Sequence, residues 1–192
     1  MKNIYNNNFT DEELIKKAID RDEMAFRALV DRYTKKVFNI VFRFLRDTED
    51  SRDVTQEVFI NLFKNLDRFD DNYKFSTWLY KIATNQALYR YRSRKKRNSV
   101  TSNYAEIPEN DPVAIVCPEE ETENRIRQEK IMNLVDCLEE KYKTTIILRH
   151  VLDLSYEEIQ QIMQLPLGTV KTNLFRARAK LKSLMENEEF FA

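Results

Sequence analysis

The chain has 192 residues, of which 42% are apolar and 33% charged, the balance of a soluble globular protein rather than a disordered one. One glycine and four prolines exclude an architecture rich in tight turns, many of which need a residue at ease with positive φ, so an all-α fold is expected. A single histidine and two cysteines, Cys117 and Cys137, with no CxxC pair, are too few for a zinc site or a disulfide framework, and no metal or other cofactor is expected.

The opening MKNIYNNNFTDEEL lacks the apolar segment of a signal peptide. No run approaches the roughly 18–20 apolar residues that span a bilayer, so a cytoplasmic location is expected. Thr10 and Glu13 form a T-x-x-E capping box, the mark of a helix start. Leu14, Ile15, Ala18 and Ile19, then Phe26, Leu29, Val30, Val37, Ile40, Val41 and Phe44, recur at helical spacing and predict two or three helices. A helix of about four turns is predicted from near Asp50, with an apolar stripe through Val54, Val58, Phe59, Leu62, Phe63 and Leu66. DRFDDNYKFS interrupts the pattern, and TWLYKIATNQALYRYRSRKKR resumes it through Trp78, Leu79, Ile82, Ala83 and Leu88. These elements make a first domain over residues 1–98.

Pro108, Pro112 and Pro118, with Glu106, Glu109, Asp111, Glu119, Glu120, Glu121 and Glu123, mark residues 99–123 as an extended acidic linker. A solvated tether and a working segment both remain open readings of that charge run. The second domain, 124–192, carries one stripe through Ile126, Ile131, Leu134, Val135 and Leu138 and another through Ile146, Ile147, Val151 and Leu152. Ser155 and Glu158 form a second capping box ahead of Ile159, Ile162 and Met163, and the triplet Gln164, Leu165, Pro166 breaks that helix. Pro166 suits the first turn of the next helix, on which Val170, Leu174, Ala177 and Leu181 share a face. Two helices joined by so short a turn make the helix-turn-helix pattern.

Net charge is zero, but charge is sorted along the chain. From 75 to 98 the charged residues are Lys81, Arg90, Arg92, Arg94, Lys95, Lys96 and Arg97, and from 159 to 185 they are Lys171, Arg176, Arg178, Lys180 and Lys182, with no acid in either stretch. Two basic surfaces that concentrate polyanions are therefore predicted. In the first, Phe75, Trp78, Tyr80, Tyr89 and Tyr91 are interleaved with the bases. Rings that stack on unpaired bases at about 1–3 kcal/mol each, beside cations that track the backbone, suit single-stranded nucleic acid. For each ring taken singly, core packing is the commoner role.

On the second surface Thr169, Lys171, Thr172, Asn173, Arg176 and Arg178 lie opposite the apolar face, with Thr, Asn and Arg suited to base edges and Lys to phosphates. The sole glycine, Gly168, falls in the first turn of the second helix. Either DNA must approach the backbone closely there, or the glycine eases the turn. The leading functional reading is a protein that finds a DNA site and opens it. Its rivals are a dimeric repressor or activator reading palindromic half-sites, and a nucleic-acid enzyme, for which no catalytic carboxylate cluster or metal site is evident.

Taken in order, DSRDVTQEVFINLF, FSTWLYKIATNQALYRYR and LSYEEIQQIMQLPLGTVKTNLFRARAKL resemble the core-binding, promoter-melting and minus-35-reading regions of extracytoplasmic-function (ECF, group IV) RNA polymerase sigma factors. The resemblance spans about residues 9–185 and implies a non-catalytic initiation subunit that directs promoter-specific transcription. It implies that Asp53, Gln56, Glu57 and Phe59 dock on the β′ subunit of core polymerase, whose β and β′ subunits would be partners. The loop 67–74 resembles the family loop that captures a flipped base, which places Asp70, Asn72 and Lys74 at the minus-10 strand with Phe75, Trp78, Lys81, Asn85, Tyr89 and Arg90. Gly168, Thr169, Lys171, Thr172, Asn173, Arg176 and Arg178 match the minus-35 helix, although Asn173 departs from the arginine often found in TVKSR. The linker would thread toward the active-site and RNA-exit channels, its acids mimicking RNA. An anti-sigma factor, often membrane-bound in this family, is the implied inhibitor.

Overall fold

In the computed structural model, residues 9–101 and 122–187 are described, with side chains over 9–97 and 129–186. Among these residues every regular element is helical. They fall into two compact units.

The first unit is built around one long helix. Helix α1 (Asp11–Ile19) starts at the expected capping box, in which the Glu13 amide donates to Thr10 Oγ1 at 3.3 Å and the Thr10 amide to Glu13 Oε2 at 2.8 Å. After a short turn Asp22 caps helix α2 (Glu23–Leu45) by accepting from the amides of Met24 and Ala25, so the run of apolar residues from 26 to 44 is a single helix. Leu29, Val37, Ile40, Val41 and Phe44 on α2 are almost wholly buried. That stripe is the axis against which α1, α3 (Thr48–Asn65) and α4 (Phe75–Thr101) pack. Helix α3 begins two residues earlier than expected because Asp47 caps it, accepting from the Asp50 amide at 2.9 Å. A cap of this kind contributes about 1 kcal/mol.

A polar network fastens α1 to α2. Asp11 accepts from the Tyr33 hydroxyl and from Arg32, and Arg32 also donates to the Phe9 carbonyl at 3.0 Å. Tyr33 is 5% exposed. Burial first, then the hydrogen bond to the Asp11 carboxylate, push its phenol far above the usual tyrosine range. Ile19, expected to face inward, is exposed, because it ends α1 where the chain turns away.

Helix α4 continues through 98 to Thr101. Residues 102–121, with Cys117, the three linker prolines and six of the seven linker acids, lie outside the described residues, and the side chains of Glu123 and Ile126 are likewise not described.

The second unit comprises α5 (Thr122–Asp136), α6 (Glu140–Ile146) running into a π turn (Ile147–Val151), α7 (Tyr156–Met163) and α8 (Leu167–Asn187). Helix α8 is its hub, packed by α5, α6 and α7. Leu134, Val135, Leu138, Ile146, Ile147, Ile159 and Ile162 close the core, while Ile131 at the edge of its stripe is exposed. Inside this core Lys143 holds its Nζ 2.8 Å from Asp136 Oδ1, an ion pair that links α6 to α5.

Candidate nucleic-acid interface

The helix-turn-helix is built as the sequence implies. The Ser155 amide donates to Glu158 Oε2 at 2.8 Å and the Glu158 amide to Ser155 Oγ at 3.1 Å to start α7, Ile159 and Ile162 turn inward, and Gln164 ends the helix in the left-handed region at φ 54°. Pro166 stands one residue ahead of α8, its carbonyl accepting from the Thr169 and Val170 amides at 2.9 and 3.1 Å. Val170, Leu174 and Ala177 are buried. Gly168, Thr169, Lys171, Thr172, Arg176 and Arg178 are exposed, and no ion pair among the described residues involves Lys171 or Arg176.

Asn173 is a correction. It is 7% exposed, tucked beside Leu174 on the packed side of α8, so its amide does not present itself to a base edge. Phe175 is the residue that sequence reasoning missed. Its ring is 74% exposed in the middle of the basic face. The signal was there, since residue 175 falls off the face shared by Val170, Leu174 and Ala177, where an apolar side chain has no core to fill. Lys180 leaves the basic surface as well: it pairs with Glu139 and lies 4.9 Å from the Tyr142 ring centroid. Its hydrogen bond, followed by that of Lys141, holds the Glu139 carboxyl below the usual range.

Gly168 is not there to ease the turn. The left-handed positions of the described backbone are filled by Arg21, Arg46, Asp153 and Gln164, and no glycine has positive φ. A Cβ added at Gly168 would meet nothing within 4 Å. Nothing within the described fold requires that the side chain be absent.

In the first unit the aromatic and basic surface is only partly as expected. Phe75 and Tyr80 are 5% and 6% exposed. Phe75 packs edge-on against Tyr33 and Phe69, at centroid distances of 5.4 and 5.7 Å, and Trp78 leans on Phe69 at 5.3 Å. Phe75 is thus a core ring that pins the 69–74 loop to α4, not a base-stacking one. Trp78 and Lys81 are half-buried, while Asp70, Asn72, Lys74, Asn85 and Tyr89 are exposed, Tyr89 at 74%. Tyr73, half exposed, adds a loop ring. The loop is shaped by Asp70, whose carboxylate accepts from the Asn72 amide at 3.0 Å and its side-chain amide at 2.7 Å, an Asx turn.

Arg90 is engaged by acids that the sequence does not place beside it. Its Nη1 lies 3.1 Å from Asp50 and its Nη2 2.8 Å from Glu57, and Arg94 reaches Asp50 at 3.2 Å. The absence of acids between 75 and 98 is a property of the sequence, not of the space around α4, because α3 brings its own carboxylates alongside. An open polar cleft of about 410 Å³ results, lined by Asp47, Glu49, Asp50, Asp53, Arg90, Arg94 and Arg97.

On α3, Asp53, Gln56 and Glu57 are exposed as expected, but Phe59 is 8% exposed and belongs to the core. Ile60 and Phe63, one and two turns beyond Gln56, are 54% and 44% exposed on the same face. Phe63 meets Phe26 edge-on at 5.0 Å and carries the Arg21 guanidinium over its ring at 5.8 Å, yet stays partly exposed.

The family descriptions "Sigma-70 region 2" and "Sigma-70, region 4" match residues 29–97 and 128–181. The chain is 36% identical to the ECF RNA polymerase sigma factor SigW of Bacillus subtilis, over 92% of this chain and 99% of that protein. The chain belongs to the ECF sigma factors. It is 34% identical to the ECF RNA polymerase sigma-E factor of Escherichia coli, over 92% of this chain and 95% of that one. Its fold is that of CnrH, solved in complex with the cytosolic domain of CnrY, with a TM-score of 0.70 at 22% identity over 93% of this chain and 98% of that one. RpoE of Bartonella quintana, solved with the anti-sigma factor NepR, gives 0.66 at 17% identity over 85% and 98%. As an ECF sigma factor the protein is a non-catalytic subunit that directs promoter-specific initiation of transcription, which sets aside the repressor and enzyme readings. Among the described residues no helix is long and apolar enough to cross a membrane.

Proposed function

We propose that the two units of this sigma factor divide the promoter between them, the second reading the minus-35 duplex and the first holding the melted minus-10 strand. On α8, Arg176 and Thr172 address base edges, Lys171, Thr169 and Arg178 the phosphates, and Phe175 offers apolar contact to a thymine methyl. Gly168 lets the phosphate backbone come close to the amides of the first helical turn. The observation that carries this reading is the exposed face of α8, where Lys171, Arg176 and the 74% exposed Phe175 project from a helix whose opposite side is fully packed.

For the minus-10 strand, Asp70, Asn72, Tyr73 and Lys74 form the base-capturing loop, and Trp78, Lys81, Asn85 and Tyr89 continue the surface along α4. Flipping a base costs a few kcal/mol, which stacking on Tyr89 and the exposed edge of Trp78 offsets at about 1–3 kcal/mol per base. Core polymerase docks on α3 through Asp53, Gln56 and Glu57, with Ile60 and Phe63 as the apolar centre of the patch. Control by an anti-sigma factor is supported by the solved complexes of CnrH and of RpoE.

Purified chain and core polymerase, supplied with a promoter taken from transcripts that the overexpressed chain induces, are expected to give a single start site and permanganate-reactive thymines near position minus 10. Absence of promoter-specific transcripts would refute the division of labour.

A further inference from the structure

His150 is the only histidine in the chain. It stands on the π turn, where the Leu152 amide donates to the carbonyl of Ile147, five residues back, at 3.3 Å. Such wide turns are rare, occur mostly as single turns inside α-helices and are frequent at functional sites. One residue inserted into an α-helix rotates the later side chains by about 100°. Here the inserted turn brings His150 Nε2 to 3.3 Å from Nη2 of Arg178 on α8.

The chemistry of this contact has one solution. Arginine carries only donors, so a hydrogen bond here requires a lone pair on Nε2, that is, a neutral imidazole with its proton on Nδ1. The surroundings favour that form. Partial burial, then the charges of Arg178 and Arg149, lower the imidazole below its ordinary range against the opposing pull of Asp153. Those are the charged groups that face the ring, Arg149 and Asp153 from its own segment and Arg178 from α8. Arg149 is engaged elsewhere: it donates to the Leu154 carbonyl at 2.7 Å and lies over the Tyr156 ring at 5.5 Å.

We propose that His150 is a positioning residue for Arg178, its Nε2 lone pair holding one edge of the guanidinium so that the remaining N–H groups face the DNA side of α8. This rests on the minus-35 reading of α8. A guanidinium on a free side chain must be ordered at every encounter with DNA, whereas one already held presents its donors in a fixed direction. Acid removes the acceptor, since a protonated imidazole can only donate and stands beside Arg178 as a like charge.

Two measurements on the full chain test this separately. Because only one imidazole exists, long-range proton–nitrogen spectra need no assignment strategy. Nε2 is expected to be the unprotonated nitrogen at pH 7, and the titration midpoint is expected to rise in R178A, which removes a facing cation. The opposite tautomer, or a midpoint indifferent to R178A, would overturn the contact whatever the DNA does.

For function, the probe is a duplex that the wild-type chain enriches from a random pool. His150→Phe is expected to weaken binding as far as R178A does, by up to about tenfold. His150→Gln, whose amide oxygen is a non-titrating acceptor, is expected to remain within about twofold of wild type. Between pH 7.5 and 5.5 the wild type should lose affinity relative to H150Q, while thermal unfolding of wild type, H150F and H150Q stays alike. Tighter binding of the wild type in acid would mark His150 as a mere added cation and overturn positioning, as would full affinity in H150F. If no duplex is enriched, the minus-35 reading falls and positioning toward DNA with it, while the spectra still report on the contact.

Discussion

Arg90 Nη2 lies 2.8 Å from Glu57 Oε1, so the helix proposed to hold the melted strand is bonded to a carboxylate proposed to meet polymerase. Asp50 takes the other edge of the same guanidinium at 3.1 Å. While both pairs hold, Arg90 offers little to a phosphate.

Removing the two carboxylates is therefore expected to change what the isolated chain binds. D50N combined with E57Q should raise affinity for a single-stranded minus-10 oligonucleotide by about threefold to tenfold, the range of one or two partly exposed ion pairs. Adding R90A should cancel that gain. A gain that survives R90A would mean that deleting acids merely lowers general repulsion. Fluorescence anisotropy at fixed salt decides between the two.

At Gly168 stability and function are expected to move in opposite directions. The residue is helical, has no positive φ and has open space around the missing Cβ. G168A should stabilise the free chain by about 0.4–1 kcal/mol in denaturant unfolding, through the unfolded state. The same methyl should weaken minus-35 duplex binding severalfold. Undiminished DNA affinity would show that the backbone there is not approached.

The exposed face of α8 should separate into base readers and phosphate holders. R176A is expected to cost about 1–3 kcal/mol, concentrated at one base pair. K171A should weaken all duplexes alike and lower the salt slope by about one. F175A should leave the unfolding midpoint where it is, because a 74% exposed ring contributes little packing, yet reduce affinity for duplexes carrying a particular thymine. Binding titrations over single-base variants and three salt concentrations would expose any misassignment.

Tyr33 supplies a pH dependence with a definite sign. Its phenol is raised in the folded chain, so its contribution is complete below the unfolded value of about 10 and is lost as pH climbs above it. Y33F removes a hydrogen bond to a charged acceptor and should cost about 1.5–3 kcal/mol at pH 7. Above pH 10 the gap between wild type and Y33F should narrow. A constant gap from pH 7 to 11 would show that the hydroxyl contributes only packing.

Local features of this protein were legible in its sequence because their causes are local. Thr10 with Glu13 and Ser155 with Glu158 start α1 and α7 through partners three residues apart, and the spacing of Val170, Leu174 and Ala177 identifies the packed side of α8. Period and capping depend only on neighbours along the chain. Periodicity also puts Phe59 in an apolar stripe, and it is the family resemblance that makes it a docking residue; Phe75 and Asn173 are placed among binding residues by their company of bases. An aromatic or amide at helical spacing looks alike whether the next element covers it or not.

What the sequence determined by itself was the helical character of both units, the helix-turn-helix and a basic face on its second helix, since short-range periodicity and residue chemistry suffice for each. Only the tertiary structure decided which charges remain available. Asp50 and Glu57 meet Arg90, Glu139 meets Lys180, and His150 meets Arg178, all across separations of 28 residues or more. Electrostatic interactions depend on distance in space, and a segment without acids in sequence can still fold against a helix that carries them.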